Sequence, residues 1–496
     1  KRIPVLALLL LAALVGSPVA SAQNGAAPAI TIDGRLADWP AGVAAFATPD
    51  SVFLRLQPGD FHALQAAPYT TIIAFDLDAD ATTGRRWAGD AERAEIGIDL
   101  AVILSPPDTI GQDGMGRGAR LEAIDTRGVT RTIEAADLDF LSLPTYAADE
   151  YEMRLSRSIP GDQRLARLLE RAGEIRIRAA RIDFTGATLW ASPVISIEAP
   201  AYARESLSRA ALPKRPDGAL RVVSANVLWG SPLSEPDRFA RVYKALEPDV
   251  ILLQEWDTRD WDEPVLPASA IADWFNTNVP IDGAWSAHRT EQRGVAIVTR
   301  HEIASPGFVS VSPVVLADGE PILDRTARVV TAVIKTPFGE FLTASVHLKC
   351  CGGFGGPEDL QRIEEASAIN AALRELVDEY PDSIAVIGGD FNAVGSRLPV
   401  EILGLGLDAD GGALQATLPL VLGDETAATW GERGNPFPPG RLDYILTCTK
   451  RAAVANAFLL NTAVLDEASL AAMGLESRDS TGSDHLPVIV DIVPAR

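Results

Sequence analysis

The sequence predicts two folded parts: an all-β sandwich over residues 24–198 and, after a linker over 199–218, an α/β domain over 219–496. Three observations predict this. Up to residue 198, short strands are separated by turn residues, with polar–apolar alternation clearest in Glu174-Ile-Arg-Ile-Arg, as half-buried antiparallel sheets require. The tract 199–218 mixes Pro200, Pro213 and Pro216 with charged residues and keeps no sustained period. Beyond it, apolar strands alternate with segments of helical period.

In order, strands are expected at 51–57, 70–76, 95–104, 152–159, 174–184 and 189–198. The next strand is 221–227, β-branched and ending near Asn226. Ser234-Glu-Pro-Asp then predicts a capped helix with Phe239, Val242, Tyr243 and Leu246 on one face. An apolar strand over 250–254 stops at Glu255. A long helix is expected over 357–380, with Leu360, Ile363, Leu373, Leu376 and Val377 on its buried side. The strand 384–387 runs into Gly388-Gly389-Asp390.

Charge and targeting narrow the function. Of 496 residues, 67 are acidic and 44 basic, and 47% are hydrophobic, which excludes disorder or a fibrous repeat as whole-chain readings. Residues 221–496 carry 39 acidic and 21 basic side chains, so this half has no charge surplus with which to clamp a polyanion. That acidity fits weak polynucleotide binding or a salty extracellular setting, and both remain open. Lys1-Arg2, the apolar run from Ile3 to Val15 and Ala20-Ser21-Ala22 read as a signal peptide over 1–22. The run is shorter than the ~20 residues of a membrane span. A secreted or periplasmic protein without a transmembrane span after cleavage is expected. Cys350, Cys351 and Cys448 leave an odd thiol; a bridge from Cys448 to one of the pair, a Cys350–Cys351 bond or three free thiols are the alternatives.

Six segments place functional groups at the ends of apolar strands or beside a proline-rich loop. They are Ser224-Ala-Asn226, Leu253-Gln-Glu255, Ser345-Val-His347, Gly388-Gly-Asp390-Phe-Asn392, Arg441-Leu-Asp443 and Ser483-Asp484-His485. A phosphodiester is shielded by its anionic oxygens. Carboxylates that hold a hard cation, an acceptor that orients water and an imidazole supported by a carboxylate are what its hydrolysis needs.

Together these motifs resemble the endonuclease/exonuclease/phosphatase superfamily over about 219–496. The resemblance implies a four-layer α/β sandwich, two packed, mostly antiparallel sheets flanked by helices. It implies Mg²⁺, with Mn²⁺ or Ca²⁺ as substitutes, held by Glu255, Asn226 and Asp484. Asp390 and Asn392 would activate water, with His347, His485 and Asp443 completing the catalytic set. Arg289 is a further phosphate-contact candidate. The implied activity is phosphoester hydrolysis (nuclease, phosphodiesterase or phosphatase) on nucleic acid, a phospholipid head group or a small organic phosphate. The rival reading is a non-catalytic extracellular glycan-binding protein. Over roughly 28–198, Thr31-Ile-Asp-Gly34, Asp38-Trp39 and Phe75-Asp76-Leu-Asp78-Ala-Asp80 resemble family-nine-type carbohydrate-binding modules, which implies a glycan partner. Asp76, Asp78 and Asp80 are candidate Ca²⁺ ligands by their alternation.

Overall fold

The computed structural model describes residues 30–495 except 60, 87–94, 160–161, 205, 290–292 and 308–326. The predicted signal peptide lies outside the described residues.

The N-terminal part has two larger antiparallel sheets. One orders Ala45–Ala47, Ser51–Leu56, Tyr151–Ser156 and Leu141–Leu143; the other centres on Glu174–Ile182, Thr70–Asp76, Leu100–Leu104 and Ala119–Ile124. Alternate side chains from both (Val52, Leu54, Met153, Leu155, Phe75, Val102, Ile175 and Ile177) meet in one buried cluster, as the period of two requires. Helix Gln163–Arg171 is capped by Asp162, whose carboxylate accepts from the Arg164 and Leu165 amides.

The second part is an α/β sandwich of two sheets. The first runs Ser286–His288, Ala296–Thr299, Val250–Gln254, Leu220–Asn226, Val488–Pro494, Ala452–Leu459 and Leu420–Val421. The second runs Glu302–Ser305, Arg328–Thr336, Gly339–His347, Ile384–Asp390, Asp443–Thr447 and Gln415–Ala416. Strands Leu220–Asn226 and Val250–Gln254 are buried on both faces. Leu220, Val222, Val250 and Leu252 point between the sheets, against Val329, Phe341, Val386 and Ile445. Their neighbours Val223, Ala225, Ile251 and Leu253 point the other way, against Phe239 and Phe275 of helices Pro236–Leu246 and Ala268–Asn278. That two-sided burial is why these strands read as apolar runs rather than as alternation.

Two expectations change in detail. Helix Pro236–Leu246 starts on a proline and has no side-chain cap; the Ser234 hydroxyl donates to the Ser231 carbonyl instead. Proline at the first helical position lacks an N–H that would need capping. The buried face of Pro357–Glu379 carries Asp359, Arg362, Glu365, Ala366, Ile369 and Leu373, while Leu360 is exposed. Arg362 donates to the Lys349 and Cys351 carbonyls, so the first turns hold a loop while Ala366, Ile369 and Leu373 join the apolar core.

The two parts are stitched together beside the second sheet's strand ends. Ile32 pairs with Thr426 as an isolated bridge, and the Arg154 guanidinium donates to Asp424 at 2.9 Å. The Arg441 amide donates to Thr145 Oγ1 at 2.7 Å, and the Ala147 amide to the Gly395 carbonyl at 2.8 Å. Segment 208–210 also lies on the α/β part, through Ser208 with Val464 and Asp466.

Candidate active site

Backbone register brings the second sheet's groups together. His347 is the parallel partner of Asp390, and Asp390 is the antiparallel partner of Asp443. Three functional side chains therefore sit side by side at one end of three adjacent strands, His347 and Asp390 closing theirs and Asp443 opening its own. From the first sheet, Asn226 ends its strand in register with Gln254, the residue before Glu255. The sheets meet here: Asn226 Nδ2 donates to Asp390 Oδ2 at 3.1 Å. His485 precedes strand Val488–Pro494 and is fixed by its own amide on Ser483 Oγ, which donates to the Asn226 carbonyl.

Side-chain contacts sort the roles. His485 Nδ1 lies 2.8 Å from Asp443 Oδ2, and the Thr429 hydroxyl donates to the same oxygen at 2.7 Å. His485 Nε2 is 3.8 Å from Asp390 Oδ2. His347 Nε2 is 3.6 Å from both Asp390 Oδ2 and Glu255 Oε1. The Asn392 amide N–H donates to Asp390 Oδ1 at 2.9 Å, and its side-chain Nδ2 to the Leu348 carbonyl at 3.1 Å. Glu255 and Asn392 hold φ of +57° and +48°. Left-handed backbone costs a non-glycine residue roughly 1–3 kcal/mol and clusters at functional sites.

Electrostatics separate the two histidines. Burial opposes charge on His485, but the carboxylates of Asp443 and Asp390 outweigh it and push its pKa up to about 10. Burial, together with the positive charges of Arg328 and His485, holds His347 well below the usual imidazole range. His347 is thus the neutral one of the two, fully enclosed and without a carboxylate hydrogen bond. Burial also raises Asp390, His485 opposes that, and Asp443 and Glu255 add to it. Glu255 is raised by burial first, against the pull of His485.

The contacts of Arg289 and Asp80 differ from the sequence expectation, and those of Asp484 add to it. Arg289 is engaged by a carboxylate: its two terminal nitrogens pair with Asp257, at 3.0 and 2.7 Å, and its side chain is buried. Asp484 Oδ2 accepts from the Trp430 indole at 2.9 Å, which leaves Oδ1 buried without a partner. Among the described residues, the groups of three ligand atoms within 4.8 Å of one another are Asp390–Asp443–His485 and Asp76–Asp78–Asp99. Glu255 and Asp484 are outside the first, and Asp80 is outside the second. Asp80 closes its own turn on Thr82, while Asp99 enters from a neighbouring strand end, a pairing that local spacing does not show.

Sequence reasoning missed Thr429 and Trp430, which hydrogen-bond to Asp443 and Asp484. Thr429 and Trp430 sit in a loop without a motif. Arg328 is placed only by pairing, as the antiparallel partner of His347. Trp229 was missed too; its ring centroid is 6.4 Å from that of His347.

The donor set suits a hard divalent cation. Glu255, Asn226 and the orphaned Asp484 oxygen all offer oxygen, and Asp484 is within electrostatic reach of Glu255.

This geometry, a two-sheet α/β sandwich with acidic, amide and imidazole groups at adjoining strand ends, defines a hydrolase fold of the phosphoesterase type. The chain belongs to the Endonuclease/Exonuclease/phosphatase family, whose model matches residues 223–485. Similar solved structures include a family protein from Leptotrichia buccalis C-1013-b, 18% identical, covering 55% of this chain and 99% of the other with a TM-score of 0.37. The human Nocturnin catalytic domain with bound sulfate anion is 18% identical, covering 57% and 97% with a TM-score of 0.36. D. rerio TDP2 complexed with single strand DNA product is 14% identical, covering 56% and 99% with a TM-score of 0.33. No curated protein matches the chain. Among the described residues, no helix is long and apolar enough to cross a membrane.

Proposed function

We propose that this chain is an exported, divalent-metal-dependent phosphoesterase that cleaves a phosphodiester or phosphomonoester by attack of a water. The observation that carries the reading is the convergence of Asp390 with His485, His347 and Asn226 from both sheets, at 3.8, 3.6 and 3.1 Å. Glu255 and Asn226 would hold the cation, with the free oxygen of Asp484 beside them. The cation, Mg²⁺ first and Mn²⁺ or Ca²⁺ as substitutes, would neutralise the phosphate's charge.

The chain's own groups do the rest. Asp390 accepts the proton of the attacking water; burial draws its pKa toward the operating range, where a general base works best. The Asn392 amide fixes which Asp390 oxygen is engaged. His485, kept protonated by Asp443 and held in place by Thr429 through that carboxylate, donates to the charge developing on phosphate oxygen. Asn392 spends one side-chain N–H on Leu348, so it orients the site first and donates to substrate only through the other. The acidic balance of residues 221–496 favours ligands gripped through a single phosphate.

The test is purified protein with Mg²⁺ against plasmid DNA, sphingomyelin and a chromogenic phosphodiester. Turnover of at least one, abolished by chelation, is expected. No metal-dependent turnover on any of the three or on a phosphomonoester panel would overturn the reading.

A further inference from the structure

Three residues beyond His347, the chain carries Cys350 and Cys351, a pair that the phosphoesterase chemistry does not use. Their sulfurs lie 2.9 Å apart, and Lys349 Nζ lies 3.6 Å from Cys350 Sγ. Cys351 is exposed and Cys350 half-buried, whereas Cys448 is buried with its thiol on Asp408 Oδ1 at 2.7 Å. The loop is held from behind: Arg362 donates to the Lys349 and Cys351 carbonyls at 3.0 and 2.6 Å, and Glu365 accepts from the Lys349 amide at 2.9 Å. Those bonds aim both sulfurs at each other without engaging either one.

We propose that Cys350 and Cys351 form a redox modification site, with Cys350 the attacking thiol and Cys351 the resolving one, that closes reversibly into a bond between neighbours. The Cys350 sulfur attacks one sulfur of a small-molecule disulfide and releases one thiol. Cys351 Sγ then attacks the Cys350 sulfur of this mixed disulfide and releases the second thiol. Two protein thiols and one disulfide thus become one protein disulfide and two small thiols, with the two protons retained on the released thiols.

The assignment of partners follows from their surroundings. The hydrogen bond from Cys351 and the positive charge of Lys349 lower the Cys350 thiol, outweighing its partial burial, while Cys351 is raised by that same contact. The thiolate is the nucleophile, and cations beside a cysteine select it. Reversibility follows from adjacency. Consecutive Cα atoms sit about 3.8 Å apart, below the roughly 4.4 Å at which disulfides usually begin, and a strained bond is readily reduced. Cys448 takes no part, because its sulfur is buried and committed to Asp408.

The test counts thiols and does not depend on phosphoester turnover, so a failure of the proposed function leaves it readable. Reduced full-length protein is treated with oxidised glutathione at neutral pH, and intact mass and alkylation are followed. With alkylation in denaturant, the wild type should lose two of its three alkylatable thiols, become two hydrogens lighter, and recover all three with dithiothreitol. Cys351→Ser should stop at one bound glutathione on Cys350, and Cys448→Ser should behave as wild type. Three thiols still alkylatable after oxidation, or a bridge that includes Cys448, would overturn the proposal. Glutathione accumulating on Cys351 in Cys350→Ser as fast as on Cys350 in Cys351→Ser would overturn the assignment of attacking thiol.

Discussion

Replacing His485 with alanine should lower turnover by at least ~10²-fold while the chain still folds, the scale on which a charged transition-state donor acts. The variant removes the imidazole that two carboxylates keep protonated and leaves the Thr429–Asp443 hydrogen bond in place. Added imidazole should restore part of the loss, because the carboxylate that held the native ring remains. The pH dependence has a definite sign in the metal-free protein. His485 is raised from the ordinary ~6.5 to about 10, so its stabilisation is complete below the unfolded value and lost as pH rises through 10. The melting temperatures of wild type and variant should therefore differ most near pH 6 and converge above pH 10. Near-normal turnover of His485→Ala on every phosphoester tested would remove this mechanism while leaving the family assignment intact.

Gly389→Ala should be the most damaging small substitution in the sheet, costing ~3 kcal/mol or more and in practice preventing assembly of the site. Gly389 has φ +153°, and a Cβ there would stand 1.9 Å from the Val346 carbonyl oxygen, a backbone atom that cannot step aside. Val346 and Gly389 are register partners immediately before the His347–Asp390 pair. The clash thus falls on the pairing that aligns the site. Gly388→Ala is the comparison. Its Cβ would approach Leu252 Cδ1 at 2.7 Å, the far end of a side chain that can rotate, so a milder loss is expected. Denaturant unfolding of the two variants checks both; equal stability of Gly389→Ala and wild type would mean that the strand pairing is drawn wrongly.

Those two glycines mark where reading the sequence succeeded and where it fell short. Before a short polar stretch they suggest a turn, yet they lie inside a fully buried strand, each admitting a different close neighbour. The strand ends themselves were legible, since apolar runs that stop at Asn226, Glu255, His347 and Asp390 require no tertiary knowledge. So was the fold class, once alternation gave way to runs buried on both faces. Arg289 was not legible, because its partner Asp257 lies on another loop. Nor was the protonation of His347, which depends on enclosure and on Arg328 across the register. The polar face of Pro357–Glu379 escaped notice for a related reason: Arg362 is buried because loop carbonyls receive it, and a helical period scores only apolar faces. Asp99 joins Asp76 and Asp78 through sheet pairing, which spacing along the chain cannot show.

In the proposed mechanism Glu255 holds a cation on which Asp390 and His485 depend. This dependence is tested most directly by titrating Mg²⁺ into chelator-treated wild type and Glu255→Gln while following a chromogenic phosphodiester. The account predicts no turnover without metal, recovery of the wild type with added Mg²⁺, and a Glu255→Gln curve that needs at least ~10-fold more Mg²⁺, since weakening a direct ligand costs no less than the ~10-fold of losing an outer-shell partner. Full turnover in the presence of chelator, or overlapping Mg²⁺ curves for the two proteins, would contradict it.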